Sequence, residues 1–159
     1  IERYAEVVSE IARAMAASKS SSNNPAHSLL FRNTDNMDFQ EQVNFYTDVK
    51  NALLKNKDTV NAAFANSTIS GMYEKKGLPE RSWPYMMENV TLTKHQGNLS
   101  NHIIYTKAVV RLLTKSGRYD EALKTTDYLF RLNDSAANLL QLEKLLELLL
   151  IILKFLQLI

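Results

Sequence analysis

Lys107, Arg111, Lys115 and Arg118 recur every three or four residues, the spacing that puts side chains on one face of a helix. A row of four cations can neutralise successive phosphates, giving an affinity for nucleic acid that falls as salt rises. The same spacing also describes the solvated side of an ordinary amphipathic helix. Lys124 and Arg131 lengthen the basic stretch, while Asp120, Glu121 and Asp127 interrupt it. Asp120 and Glu121 are neighbours, so on a helix they splay apart and cannot work as an acid and base pair. They suit the positive end of a helix dipole instead. His27, His95 and His102 lack the paired spacing that zinc requires and read as surface or loop residues. Cysteine is absent, which excludes disulfides, thiolate nucleophiles and cysteine metal sites. No glycine-rich phosphate loop and no Gly-x-Ser-x-Gly elbow can be read. The sequence therefore predicts no catalytic residue, no metal and no cofactor.

The elements that position these residues are helices. At 159 residues, 45% apolar and 23% charged, the chain has the composition of one folded domain. Four glycines and three prolines supply too few turns for a many-stranded sheet and suit long helices with short connections. A formal net charge of +2 is a weak cationic field. Asn66, Asn89, Asn98 and Asn133 sit in Asn-x-Ser/Thr triplets, which an Asn- and Ser-rich chain generates by chance. The chain opens on Ile1 with no charged segment ahead of an apolar core, so no signal peptide is expected, and it reads as a piece of a larger whole.

Tyr4, Val7, Val8, Ile11, Ala12 and Met15 predict an amphipathic helix over residues 1–17. Residues 18–37, rich in Ser and Asn, read as a flexible linker. Asp38 followed by Glu41 is a capping box that starts the next helix, expected to run to about Lys57. Asp58 caps another, closed by Lys75, Lys76 and Gly77, because a glycine just past a helix takes the left-handed conformation that ends it. Pro79 and Pro84 place the following helix start near Ser82 or Trp83. HQGNLS reads as a loop with Ser100 as the next cap. That helix closes at Lys115 and Gly117, and a last one from Tyr119 is expected to end near Asn133.

Two stretches then resemble a known family. Residues 67–90, STISGMYEKKGLPERSWPYMMENV, and 103–134, IIYTKAVVRLLTKSGRYDEALKTTDYLFRLND, are similar to pentatricopeptide repeats. The second also resembles the related tetratricopeptide repeat through Gly117, Tyr119 and Ala122. The resemblance implies an all-α fold of antiparallel helical hairpins stacked as an α-solenoid, here over residues 38–134. Gly77 and Gly117 are 40 residues apart where the families' unit is roughly 34 to 35, and TLTKHQGNL reads as the insertion. Ser82 stands where alanine is usual. The resemblance further implies a non-enzymatic scaffold that binds single-stranded RNA inside a ribonucleoprotein, in an organelle such as the mitochondrion. Its base-reading position, early in the first helix of each unit, falls on Ser67 and Lys107. Phosphate contacts would come from Lys107, Arg111, Lys115 and Arg118.

Residues 135–159 form a leucine-rich helix whose apolar positions Leu142, Leu146, Leu149, Leu153 and Leu156 trace a coiled-coil seam. Glu143, Lys144, Glu147 and Lys154 interrupt it, so a membrane span is not expected. A segment apolar nearly all round is covered on more than one side, which predicts further protein subunits packed against it. The competing reading of the whole is therefore a tetratricopeptide-like adaptor that holds a partner protein. A helical protein anchored to a membrane by residues 145–159 is a third.

Overall fold

The computed structural model of the chain describes residues 25–157, all of whose regular elements are helices: α1 (Pro25–Leu29), α2 (Phe39–Lys55), α3 (Thr59–Lys75), α4 (Pro79–Gln96), α5 (Leu99–Lys115) and α6 (Tyr119–Gln157). The helix expected over residues 1–17 lies outside the described residues. From α3 onward each helix packs against the one before it through a turn of two or three residues, so neighbours run antiparallel and build a stack. The all-α solenoid architecture expected from the sequence is the observed one.

Its period is a single helix. Helices begin at Phe39, Thr59, Pro79, Leu99 and Tyr119, and a residue with positive φ precedes each of the last four by two positions: Lys57, Gly77, Gly97 and Gly117. Burial keeps the same step of twenty. Val49, Ile69, Asn89 and Val109 are each fully buried, and so, within a few per cent, are Leu53, Tyr73, Thr93 and Leu113. The expected insertion in TLTKHQGNL is thus corrected: residues 91–96 are the last turns of α4, and Gly97 is an elbow of its own. The forty residues from Gly77 to Gly117 are two equal units. The elbow at Gly97 was legible only as a loop because its helix ends on His95 and Gln96 without a lysine pair.

Local chemistry explains the ends. Asp38 accepts a hydrogen bond from the Glu41 amide at 2.8 Å while Glu41 accepts from the Asp38 amide at 3.0 Å, the expected capping box. Asp58 accepts from the Asn61 amide, and Asn98, rather than Ser100, does the same for Asn101. After α2, α3 and α5 the amides of Asp58, Leu78 and Arg118 donate back to the carbonyls of Leu53, Tyr73 and Leu113, the Schellman closure that needs a left-handed residue just before.

Three further expectations are corrected. α4 begins at Pro79, not Ser82, because the elbow at Gly77 delivers the chain with proline at the first helical position, where its missing N–H costs nothing. Pro84 then lies inside the helix on an exposed side, where water can satisfy the carbonyl it leaves. Of the linker expected over residues 18–37, residues 18–24 lie outside the described residues and 25–29 are helical instead, with Ala26, Leu29 and Leu30 buried in one core cluster with residues of α2 and α3. The last helix does not stop at Asn133 but runs unbroken for 39 residues, since Asn133, Asp134 and Ser135 meet no glycine or proline to turn the chain. The boundary expected between residues 134 and 135 therefore lies inside α6.

Candidate functional site

The cations predicted to meet phosphate are largely committed within the fold. Glu74, at the end of α3, holds both Arg111, through two of its guanidinium nitrogens, and Lys115, at 2.7 Å. These hydrogen bonds pull the Glu74 carboxyl down to about 2. Alternate helices α3 and α5 are tied by this cluster as α2 and α4 are by Lys50 and Glu88, 2.9 Å apart. Arg118 donates to Glu121 at 2.7 Å and lies over the Trp83 ring, 4.4 Å from its centre. Lys107 is exposed, with no carboxylate in ion-pair contact among the described residues. Ser67 is half-buried between α3 and α4, donating to the Ala63 carbonyl and accepting from the Asn89 amide. Spacing brings Arg111 and Lys115 together as expected, but around a carboxylate, and leaves Ser67 on an internal face far along α3 from them.

Sequence reasoning missed a run of buried polar side chains. Asn66 donates to Asn89 at 3.0 Å, and Asn89 donates to the Ala63 carbonyl at 2.8 Å. Ser82 and Ser70 share a hydrogen bond at 2.7 Å, which the alanine expected there from the resemblance could not make. His102, read as a surface residue, is 3% exposed. Thr93 donates its hydroxyl proton to the Asn89 carbonyl, so its oxygen accepts from Nδ1–H of His102 at 3.1 Å, leaving Nε2 to accept from Tyr128 Oη at 2.7 Å. Burial pushes the His102 pKa down, which favours the neutral ring in which Nε2 is the acceptor. The one available signal was the step of twenty, which aligns Ala62, Ser82, His102 and Ala122 at a single buried position.

Beside this histidine lies an open pocket of about 290 Å³ lined by Thr93, Gly97, Leu99, His102, Tyr128 and Leu132 among others. It sits where the α4–α5 elbow meets α6. Among the described residues no group of His, Asp and Glu is placed to hold a metal.

α6 differs from the helices before it. Leu123 is 71% exposed and Phe130 66%, whereas the residues one and two units earlier, Ile103 and Trp83, and Val110 and Val90, are half-buried. Tyr119 is exposed at the same end. Beyond Ala136 every described side chain, from Ala137 to Glu147, is exposed, including Leu139, Leu142 and Leu146. Leu149, Leu153 and Leu156 continue the seam as register positions on the helix, their side chains lying outside those described. Among the described residues no helix is long and apolar enough to cross a membrane.

Set beside known proteins, the chain matches no family model, no curated protein and no solved structure. What the fold and site define is the class alone: an all-α stack of twenty-residue helical units.

Proposed function

We propose that this protein is a non-catalytic helical-repeat scaffold that acts as a protein–protein adaptor, its working surface being the outer face of α6. The observation that supports this is Leu123 and Phe130, large apolar side chains in the open at positions that are buried or half-buried in each of α2, α3, α4 and α5. A stack that ends on itself carries a polar outer face. This one presents Tyr119, Leu123 and Phe130, the surface a further helix of a partner would cover.

RNA binding, the function implied by the pentatricopeptide resemblance, is the second reading. Lys107 supports it, but Arg111, Lys115 and Arg118 would have to leave carboxylates already in contact. Two experiments separate the readings. Leu123→Asp with Phe130→Asp abolishes capture of a defined partner subunit if the adaptor reading holds and leaves the fold intact by circular dichroism. Filter binding to single-stranded RNA at two salt concentrations, with steep salt dependence lost in Lys107→Glu, would establish RNA instead.

A further inference from the structure

The overhanging half of α6 has a symmetry of its own. Leu139, Leu142, Leu146, Leu149, Leu153 and Leu156 follow one another at steps of three, four, three, four and three, a pattern that reads the same in both directions about the midpoint between Leu146 and Leu149. In heptad terms the a positions are Leu139, Leu146 and Leu153 and the d positions Leu142, Leu149 and Leu156. Turned end over end about that midpoint, the helix sets each a leucine level with a d leucine of its mate. We propose that this segment pairs with the same segment of a second copy of the chain, antiparallel, joining two stacks into a two-fold dimer.

Three features select this occupant. The seam extends backward by the same steps through Leu132 to Tyr128, and there it is already taken, since Tyr128 bonds His102 of α5 and both line the pocket at the α4–α5 elbow. A parallel mate following the seam runs into α5, whereas an antiparallel mate brings Leu156 only level with Leu139. The free length also fits. Counting equally from Gly117 brings Leu99 level with Ser135, burial ends at Ala136, and the 21 helical residues after it extend about 31 Å at 1.5 Å each. Finally, Leu139, Leu142 and Leu146 are each about half exposed and touch nothing else in the stack's core clusters, and three more leucines follow at the same helical spacing, an apolar row that a matching row can cover. This dimer goes beyond the adaptor reading and does not depend on it, because Leu123 and Phe130 lie upstream of Leu139 and at none of the seam positions.

The full chain tests it by light scattering during size-exclusion chromatography. The expected result is a particle of twice 18.1 kDa that Leu146→Glu with Leu149→Glu converts to one of 18.1 kDa with unchanged helical content. Because the chain has no cysteine, introduced thiols report register without interference. A mixture of Leu146→Cys and Leu149→Cys chains should form a disulfide dimer at least tenfold faster than Leu149→Cys alone. Equal rates for the single variant and the mixture would overturn the antiparallel arrangement. A monomer at micromolar concentration would overturn the dimer, and one whose Cys at position 146 resists maleimide would show the seam covered by its own chain. Each result leaves the capture experiment on Leu123 and Phe130 unaffected, so the two proposals fail separately.

Discussion

The hairpin α3–α4 and the hairpin α5–α6 begin on first helices of 17 residues each and turn at the same elbow, with Gly77 and Gly117 at φ 73° and 72°, yet they are held together differently. Between α3 and α4 the contact is dense in polar groups: Asn66 with Asn89, Ser70 with Ser82, all buried. At the matching positions forty residues on stand Thr106, Leu129, Val110 and Ala122. Polar pairs in a dry interface hold one register, since any slip leaves unpaired groups behind. Leu129, Val110 and Ala122 carry no such pairing, Thr106 bonds back to its own helix, and the polar bond across this hairpin is that of His102 with Tyr128. The first hairpin is therefore held in one register by two buried polar pairs, while the outer face of α6 in the second stays open at Leu123 and Phe130.

The comparison breaks most sharply at Asn89. Asn89→Leu makes α4 resemble α6 but strands the Asn66 amide in a dry interface, and we expect a loss of about 2 kcal/mol in urea unfolding. Adding Asn66→Thr, which completes the copy of Thr106 and Leu129, should restore at least half of it. Strictly additive losses would show that the two amides do not depend on each other.

The elbows come next. Gly117→Ala and Gly77→Ala should each cost about 1 to 2 kcal/mol, read as a lower Tm. A Cβ at either position meets nothing within 4 Å, so the penalty is backbone strain alone. Lys57 holds the same left-handed conformation at φ 60° without being glycine. Lys57→Gly should accordingly gain up to about 1 kcal/mol, the reverse sign at the same place in the unit. A loss there would mean that the lysine side chain contributes more than its conformation costs.

A smaller effect separates the hairpins by pH. His102 joins α4 to α5 and α6 in its neutral form, and its folded pKa lies below the unfolded value of 6.5. The unfolded chain therefore binds the proton first, so this contribution is complete above pH 6.5 and is lost as pH falls below it. Thermal melts between pH 7.5 and 5 should show that decline, and His102→Gln should flatten it. Smallest is Glu74, whose carboxyl is lowered from 4.5 to about 2 by Arg111 and Lys115. Its stabilisation is present above pH 4.5 and disappears toward pH 2. Because the two cations are about half exposed, Glu74→Gln should cost no more than about 1 kcal/mol at pH 7.

Helix existence and the caps at Asp38, Asp58, Gly77 and Gly117 were legible because they depend on side chains within four residues. The step of twenty was hidden by comparison with a longer repeat, which turned a regular helix end at Gln96 into an insertion. The structural role of Asn66 and Asn89 was missed and His102 was misread as a surface group, because polar residues are buried only when a partner satisfies them. Glu74 escaped notice for the same reason: its partners are 37 and 41 residues away. The exposed leucines of α6, by contrast, were readable from periodicity alone.

A photo-crosslinking amino acid placed at position 123, and in a second chain at position 107, tests the adaptor claim most directly in the protein's natural setting. The expected result is a protein adduct at position 123 that disappears with Phe130→Asp, and none to nucleic acid at position 107. An RNA adduct at position 107 with nothing at position 123 would contradict it.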